Sequence, residues 1–155
     1  MRRKSLEGAD CPIARSLDEI GDWWSLLIIR DAFLGLRRFG EFQRSLGLAK
    51  NILTVRLRAL VGLGILEAVP ASDGSAYRDY VLTQKGRDLF HVLIALRQWG
   101  ETHLSHCGKP MTQLVDRETG QLVRNLELRA QDGRLLGPAD TMLKPPAEPR
   151  RRQAG

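Results

Sequence analysis

RRFGEFQRSLGLAKNILTVRLRALVGLGIL, residues 37–66, is the stretch whose reading decides the fold. Phe39, Phe42 and Leu46 share one face of a short helix that stops at Gly47. Leu48 and Ala49 make a turn. A second helix starts near Lys50, places Leu53, Leu57 and Leu60 inward, and ends at Gly62 and Gly64. The stretch carries six basic residues (Arg37, Arg38, Arg44, Lys50, Arg56, Arg58) against the single acid Glu41. The whole chain, with 24 Lys and Arg against 18 Asp and Glu, has a net charge of +6. Nearly all the excess therefore sits on two helices joined by a tight turn. A reader of the DNA major groove needs that distribution.

On the N-terminal side, PIARSLDEI (12–20) predicts a first helix. Proline suits its first turn, and Ile13, Leu17 and Ile20 fall on one face. Gly21 ends it, and Asp22 caps the next helix, Trp23 to Leu34. That helix is apolar on most faces and belongs in a core or against a partner subunit. On the C-terminal side, Ile65–Val69 and Tyr77–Leu82 read as strands around the turn-forming PASDGSA, with Asp73-Gly74 the strongest hairpin signal. Two strands after the second helix make a wing. Thr83 caps a long helix expected from Gln84 to about Ser105. Its apolar residues, Leu89, Phe90, Val92, Leu93, Ile94, Leu96 and Trp99, spread over more surface than one small domain buries. A dimer interface is the economical reading.

The fold class is therefore mainly α with a small β-hairpin wing (α+β): a winged helix-turn-helix that dimerises through its terminal helices. The expected organisation is a flexible N-terminal arm over 1–10, a DNA-binding and dimerisation domain over 11–106, an extension with short β-hairpins over 107–143, and a disordered basic tail over 144–155. In the extension, Met111–Val115 and Gln121–Val123 pair around residues 116–120, and a second hairpin turns at Asp132-Gly133.

Other function classes find little support. No apolar run approaches the roughly 20 residues that span a bilayer, and MRRKSLEGAD has no apolar segment behind its basic residues. A cytoplasmic protein, on the nucleoid when bound, is expected. The two cysteines, Cys11 and Cys107, are too few for a disulfide scaffold or a four-ligand zinc site. His103, His106 and Cys107 lie close in sequence but lack an evident fourth ligand, so neither a metal nor another cofactor is expected. There is no nucleophile elbow, phosphate loop or apolar carboxylate pair, which leaves catalysis without a candidate.

The candidate DNA contacts follow from the inward leucines of the second helix. Its outer face near the start holds Lys50, Asn51, Thr54 and Val55, with Arg56 and Arg58 beyond. Asn pairs with adenine, Thr reaches a base or phosphate, Val meets a thymine methyl, and Lys50 and Arg58 suit phosphates or guanine. Arg56, beside the inward Leu57, has an equal alternative as a structural ion pair. Arg37 and Arg38 suit the DNA backbone, and Arg78 at the base of the wing suits a minor groove or its phosphates.

CPIARSLDEIGDWWSLLIIRDAFLGLRRFGEFQRSLGLAKNILTVRLRALVGLGILE (11–67) and YRDYVLTQKGRDLFHVLIALRQWGE (77–101) together resemble the HxlR-type winged-helix transcription regulators of bacteria. The likeness covers about residues 11–104 and rests on the Cys-Pro-Ile opening, the Trp-rich helix after Gly21, the Arg-Phe-x-Glu-Phe segment and the Leu-Thr-x-Lys-Gly cap, in that order. It implies a homodimer that binds an inverted-repeat operator in double-stranded DNA. It also implies, for some members, sensing of oxidants or electrophiles through a cysteine matching Cys11. The chain departs from the pattern at Val55, where a polar residue is commoner, and at LRAQDGRLL (128–136), where many relatives carry a Cys-x-x-Cys pair. No metal site is expected there.

Cys11 stands at a helix start, where the dipole favours a thiolate, but a small cysteine also simply packs at such a position. Three readings remain: a sequence-specific dimeric regulator, expected to act as a repressor; a redox-sensing regulator acting through Cys11, or one answering a small-molecule effector; and a winged-helix protein-interaction module whose basic cluster meets an acidic partner.

Overall fold

The computed structural model describes residues 5–104 and 112–144. Cys107, His106, Ser105, Met111 and the tail from 145 onward lie outside the described residues. The chain divides into two units, Met1–Ser105 and His106–Gly155.

The first unit runs α1 (Pro12–Ile20), α2 (Trp23–Phe33), α3 (Phe39–Leu46), α4 (Lys50–Gly62), β1 (Leu66–Pro70), β2 (Arg78–Leu82), α5 (Gln84–Arg87) and α6 (Phe90–His103). Local chemistry sets the boundaries. Pro12 occupies the first turn of α1, and the Gly21 N–H closes it on the Leu17 carbonyl at 2.9 Å. A Cβ on Gly21 would stand 2.3 Å from that same oxygen, so only glycine fits. The Asp22 carboxylate accepts from the Ser25 N–H and hydroxyl and caps α2. Glu41 folds back to accept from the Arg37 and Arg38 N–H groups at 2.8 and 2.9 Å, half of a capping box for α3. Gly47 (φ 63°) makes the left-handed corner into α4.

The core forms where these helices cross the base of the wing. Ile28 and Ile29 of α2, Phe42 of α3, Leu53, Leu57 and Leu60 of α4, and Ile65 and Leu66 are fully buried together. The three leucines are those the sequence places inward. β1 and β2 pair antiparallel from Leu66↔Leu82 to Pro70↔Arg78. Their turn is closed by Ala71 N–H to Tyr77 O and Gly74 N–H to Ala71 O.

The expected long helix from Gln84 is interrupted. α5 is a single turn, and at Leu89 the N–H bonds the Gly86 carbonyl, three residues back. The cause is tertiary. Thr83 Oγ1 accepts from Gly86 N–H while donating to Gly64 O, and Thr83 N–H donates to Ile65 O. A Cβ at Gly86 would lie 2.2 Å from the Ile65 carbonyl oxygen. The first turn is thus pinned to the root of the wing, and α6 starts afresh to lay Ile94 into the core beside α2.

Within the second unit, two tight turns form. Val115 bridges Leu122 around Asp116–Gly120, and Arg129 bridges Leu135 around Asp132-Gly133. Asp116 accepts from Glu118 and Thr119 N–H groups, and Asp132 from Arg134 N–H. The ladders do not extend into named strands. A 3₁₀ turn, Pro138–Asp140, follows.

Candidate nucleic-acid interface

With its leucines inward, α4 turns its other face to solvent. Lys50, Asn51 and Arg58 are exposed, their side chains without a hydrogen-bond or ion-pair partner among the described residues, and Val55 is 60% exposed. Thr54 is half-buried, and its hydroxyl donates to the Lys50 carbonyl at 2.8 Å, one turn back. The oxygen keeps acceptor capacity, so Thr54 can still take a donor from a base. Ile52, 40% exposed, adds apolar surface at the start of the helix.

Arg56 is held differently. Its Nε lies 3.4 Å from Asp22 Oδ1, which ties the flank of α4 to the cap of α2. That contact is a structural ion pair within the chain.

Arg37 and Arg38 lie side by side but face different surroundings. The Arg37 side chain is exposed, while its carbonyl accepts from Tyr80 N–H at 2.8 Å. Arg38 bridges Asp79 in antiparallel fashion, so residues 37–38 form a stub of third strand beside β2. The Arg38 guanidinium reaches Asp73 Oδ2 at the wing tip (2.8 Å) and the buried Asp79 (Nε to Oδ1, 2.9 Å). Asp73 also accepts from Ser75. The Ser75 hydrogen bonds first, and then Arg38, hold its carboxyl well below the usual range, and the Asp73 contact in turn raises the Arg38 pKa. The Arg37 and then Arg38 N–H groups depress Glu41 in the same way.

Arg78 is exposed on the rim of β2, with Nη1 on the Ala68 carbonyl at 2.9 Å. Between the start of α3 and the wing runs an open groove lined by Arg37, Arg44, Tyr77 and Arg78 among others. Arg44 and Tyr77, the latter 72% exposed, were not among the sequence-derived contacts. Arg44 follows from periodicity, being outward when Phe39, Phe42 and Leu46 are inward; Tyr77 stands just before β2, at the end of the turn.

Cys11 is exposed at the cap position of α1. Among the described residues no cluster of His, Cys, Asp and Glu could hold a metal ion, and no helix is long and apolar enough to cross a membrane. His103 packs on the Trp99 ring at 5.4 Å. On α6, Phe90, Val92, Leu96 and Trp99 are exposed, as are Ile13 and Leu17 of α1. Of the expected apolar face of α1, only Ile20 is buried within the chain.

A family model described as HxlR-like helix-turn-helix matches residues 19–107. An uncharacterized HTH-type transcriptional regulator of Mycobacterium tuberculosis is 41% identical over 109 residues, which span 70% of this chain and 69% of the relative. The crystal structure of PA1607, described as a candidate transcription factor, superposes with a TM-score of 0.86 at 55% identity, over 91% of this chain and 99% of the other. The oxidized redox regulator HypR superposes with a TM-score of 0.56 at 30% identity, over 62% of this chain and all of its own (100%).

Proposed function

The chain belongs to the HxlR-like helix-turn-helix family of transcriptional regulators, and from that premise we propose that it works as a cytoplasmic homodimeric repressor bound to an inverted-repeat operator. The observation that carries the reading is the outer face of α4. Lys50, Asn51 and Arg58 stand exposed and unpartnered among the described residues, beside Thr54 and Val55. Those types suit base edges and phosphates at the depth a recognition helix reaches. Arg37 and Arg78 flank the face from the start of α3 and from the wing, where they suit phosphates. Two copies related by a dyad would place two such faces about one DNA turn apart, matching an inverted repeat.

The test is a titration of the DNA upstream of the chain's own gene against random duplex. The expected result is a preference for the upstream DNA that Lys50→Glu with Arg58→Glu abolishes while the dimer persists. Unchanged affinity in that double variant would instead favour a protein-interaction module.

A second reading, regulation by oxidant, is favoured by the exposure of Cys11 at the α1 start and by the likeness to HypR, itself a redox regulator. An exposed thiol at a helix N-terminus is accessible for oxidation. Treatment with diamide should then change DNA affinity in the parent and not in Cys11→Ser. An equal response in both would rule out Cys11 as the sensor.

A further inference from the structure

We infer that Arg38 is a positioning residue: it latches the wing to the start of α3 and makes no phosphate contact of its own. The inference deepens the DNA-binding reading and rests on it for its functional consequence.

Arg38 is the one residue of the basic pair 37–38 whose guanidinium meets two carboxylates, Asp73 Oδ2 at 2.8 Å and Asp79 Oδ1 at 2.9 Å. Asp79 is 2% exposed. The two acids come from different parts of the wing: Asp73 from its tip, Asp79 from β2. One guanidinium, through Nη2 and Nε, therefore pairs at once with a carboxylate of the tip and one of the strand from the start of the helix, a two-point reach that a single-point ammonium lacks. The backbone completes the joint. Tyr80 N–H donates to Arg37 O, Arg38 bridges Asp79, and Ser72 N–H approaches Asp79 Oδ2 at 3.4 Å.

The electrostatics point the same way. With two carboxylates on one guanidinium, the trio is net negative and offers nothing to a phosphate. Among the described residues, the other cations lining the adjoining groove are Arg37 and Arg44, with Arg78 on the wing side. Arg38 would act through them, by holding the wing at the spacing that lets α4 and Arg78 engage one duplex together.

The sign of one substitution separates the alternatives. Asp73→Asn keeps an oxygen for the Ser75 N–H but removes the charge and turns an amide N–H₂ toward Arg38. If Arg38 contacted phosphate, freeing it from Asp73 and deleting an acid would tighten DNA binding. The latch predicts the opposite: a loss of roughly tenfold for Asp73→Asn, Arg38→Ala and Arg38→Lys alike. The slope of log K against log salt should stay at the parent value in all three, whereas Arg37→Ala should flatten it by about one.

The full-length chain is measured against the duplex upstream of its own gene across a salt series, and hydrogen exchange at Tyr80 N–H is followed without DNA. The latch predicts exchange roughly tenfold faster in Asp73→Asn and Arg38→Lys than in the parent. Tighter binding by Asp73→Asn, rescue by Lys at position 38, or unchanged exchange at Tyr80 would each overturn it. A parent without preference for the upstream duplex would refute the operator reading, and the exchange measurement would still decide the latch.

Discussion

At the scale of single residues, two glycines and one carboxylate carry more of the account than their size suggests. Gly21 and Gly86 each sit where a Cβ would fall within 2.3 Å of a backbone carbonyl oxygen, that of Leu17 and that of Ile65 respectively. Neither contact can be relieved by rotating a side chain. Gly86→Ala should therefore destabilise the fold by about 1–3 kcal/mol, typical of overpacking, with the damage centred where α5 meets the wing; a thermal melt within a degree of the parent would contradict this. Asp73 gives a pH dependence with a definite sign. Its folded pKa is depressed, so its contribution is full above the ordinary value of 3.8 and is lost as the pH falls below that value. Melts between about pH 2 and 7 should show the parent losing its advantage over Asp73→Asn only in acid, below the ordinary carboxylate range. A constant gap across that range would contradict the assignment.

At the scale of elements, α4 is a core helix that, in the proposed function, also reads DNA. Its leucine row is fully buried while Lys50, Asn51, Val55 and Arg58 are exposed. Leu57→Ala should cost about 2–5 kcal/mol through lost burial and a cavity, and near-parental stability would mean that α4 is not seated as described. This division was legible in the sequence, because Leu53, Leu57 and Leu60 fix the inward face and glycines punctuate both ends. The ion pair of Arg56 was open in the sequence, but its partner, the carboxylates of Arg38 and the break in the last helix were not legible, for one physical reason: each depends on a partner remote in sequence. Arg56 meets Asp22, and Arg38 meets Asp73 and Asp79. The break between α5 and α6 follows from Gly86 pressed on Ile65. A basic residue in a cationic stretch reads the same whether its carboxylate is absent or folds back from elsewhere in the chain.

At the scale of the molecule, α1 and α6 leave Ile13, Leu17, Leu96 and Trp99 exposed within one chain. Exposed apolar side chains on these two helices are what a subunit interface would cover. If this surface closes the proposed homodimer, Trp99→Glu should yield a monomer in sedimentation and weaken binding to the proposed operator in step, because two half-sites are then no longer read together. A Trp99→Glu protein that stays dimeric would place the interface elsewhere.

The central claim, that the α4 face and the wing read a particular DNA sequence, is tested most directly by one competition titration at physiological salt. The upstream duplex is measured against a scrambled duplex of the same length and composition. The account predicts a preference of about a thousandfold or more for the upstream duplex. Equal affinity for the two would contradict it.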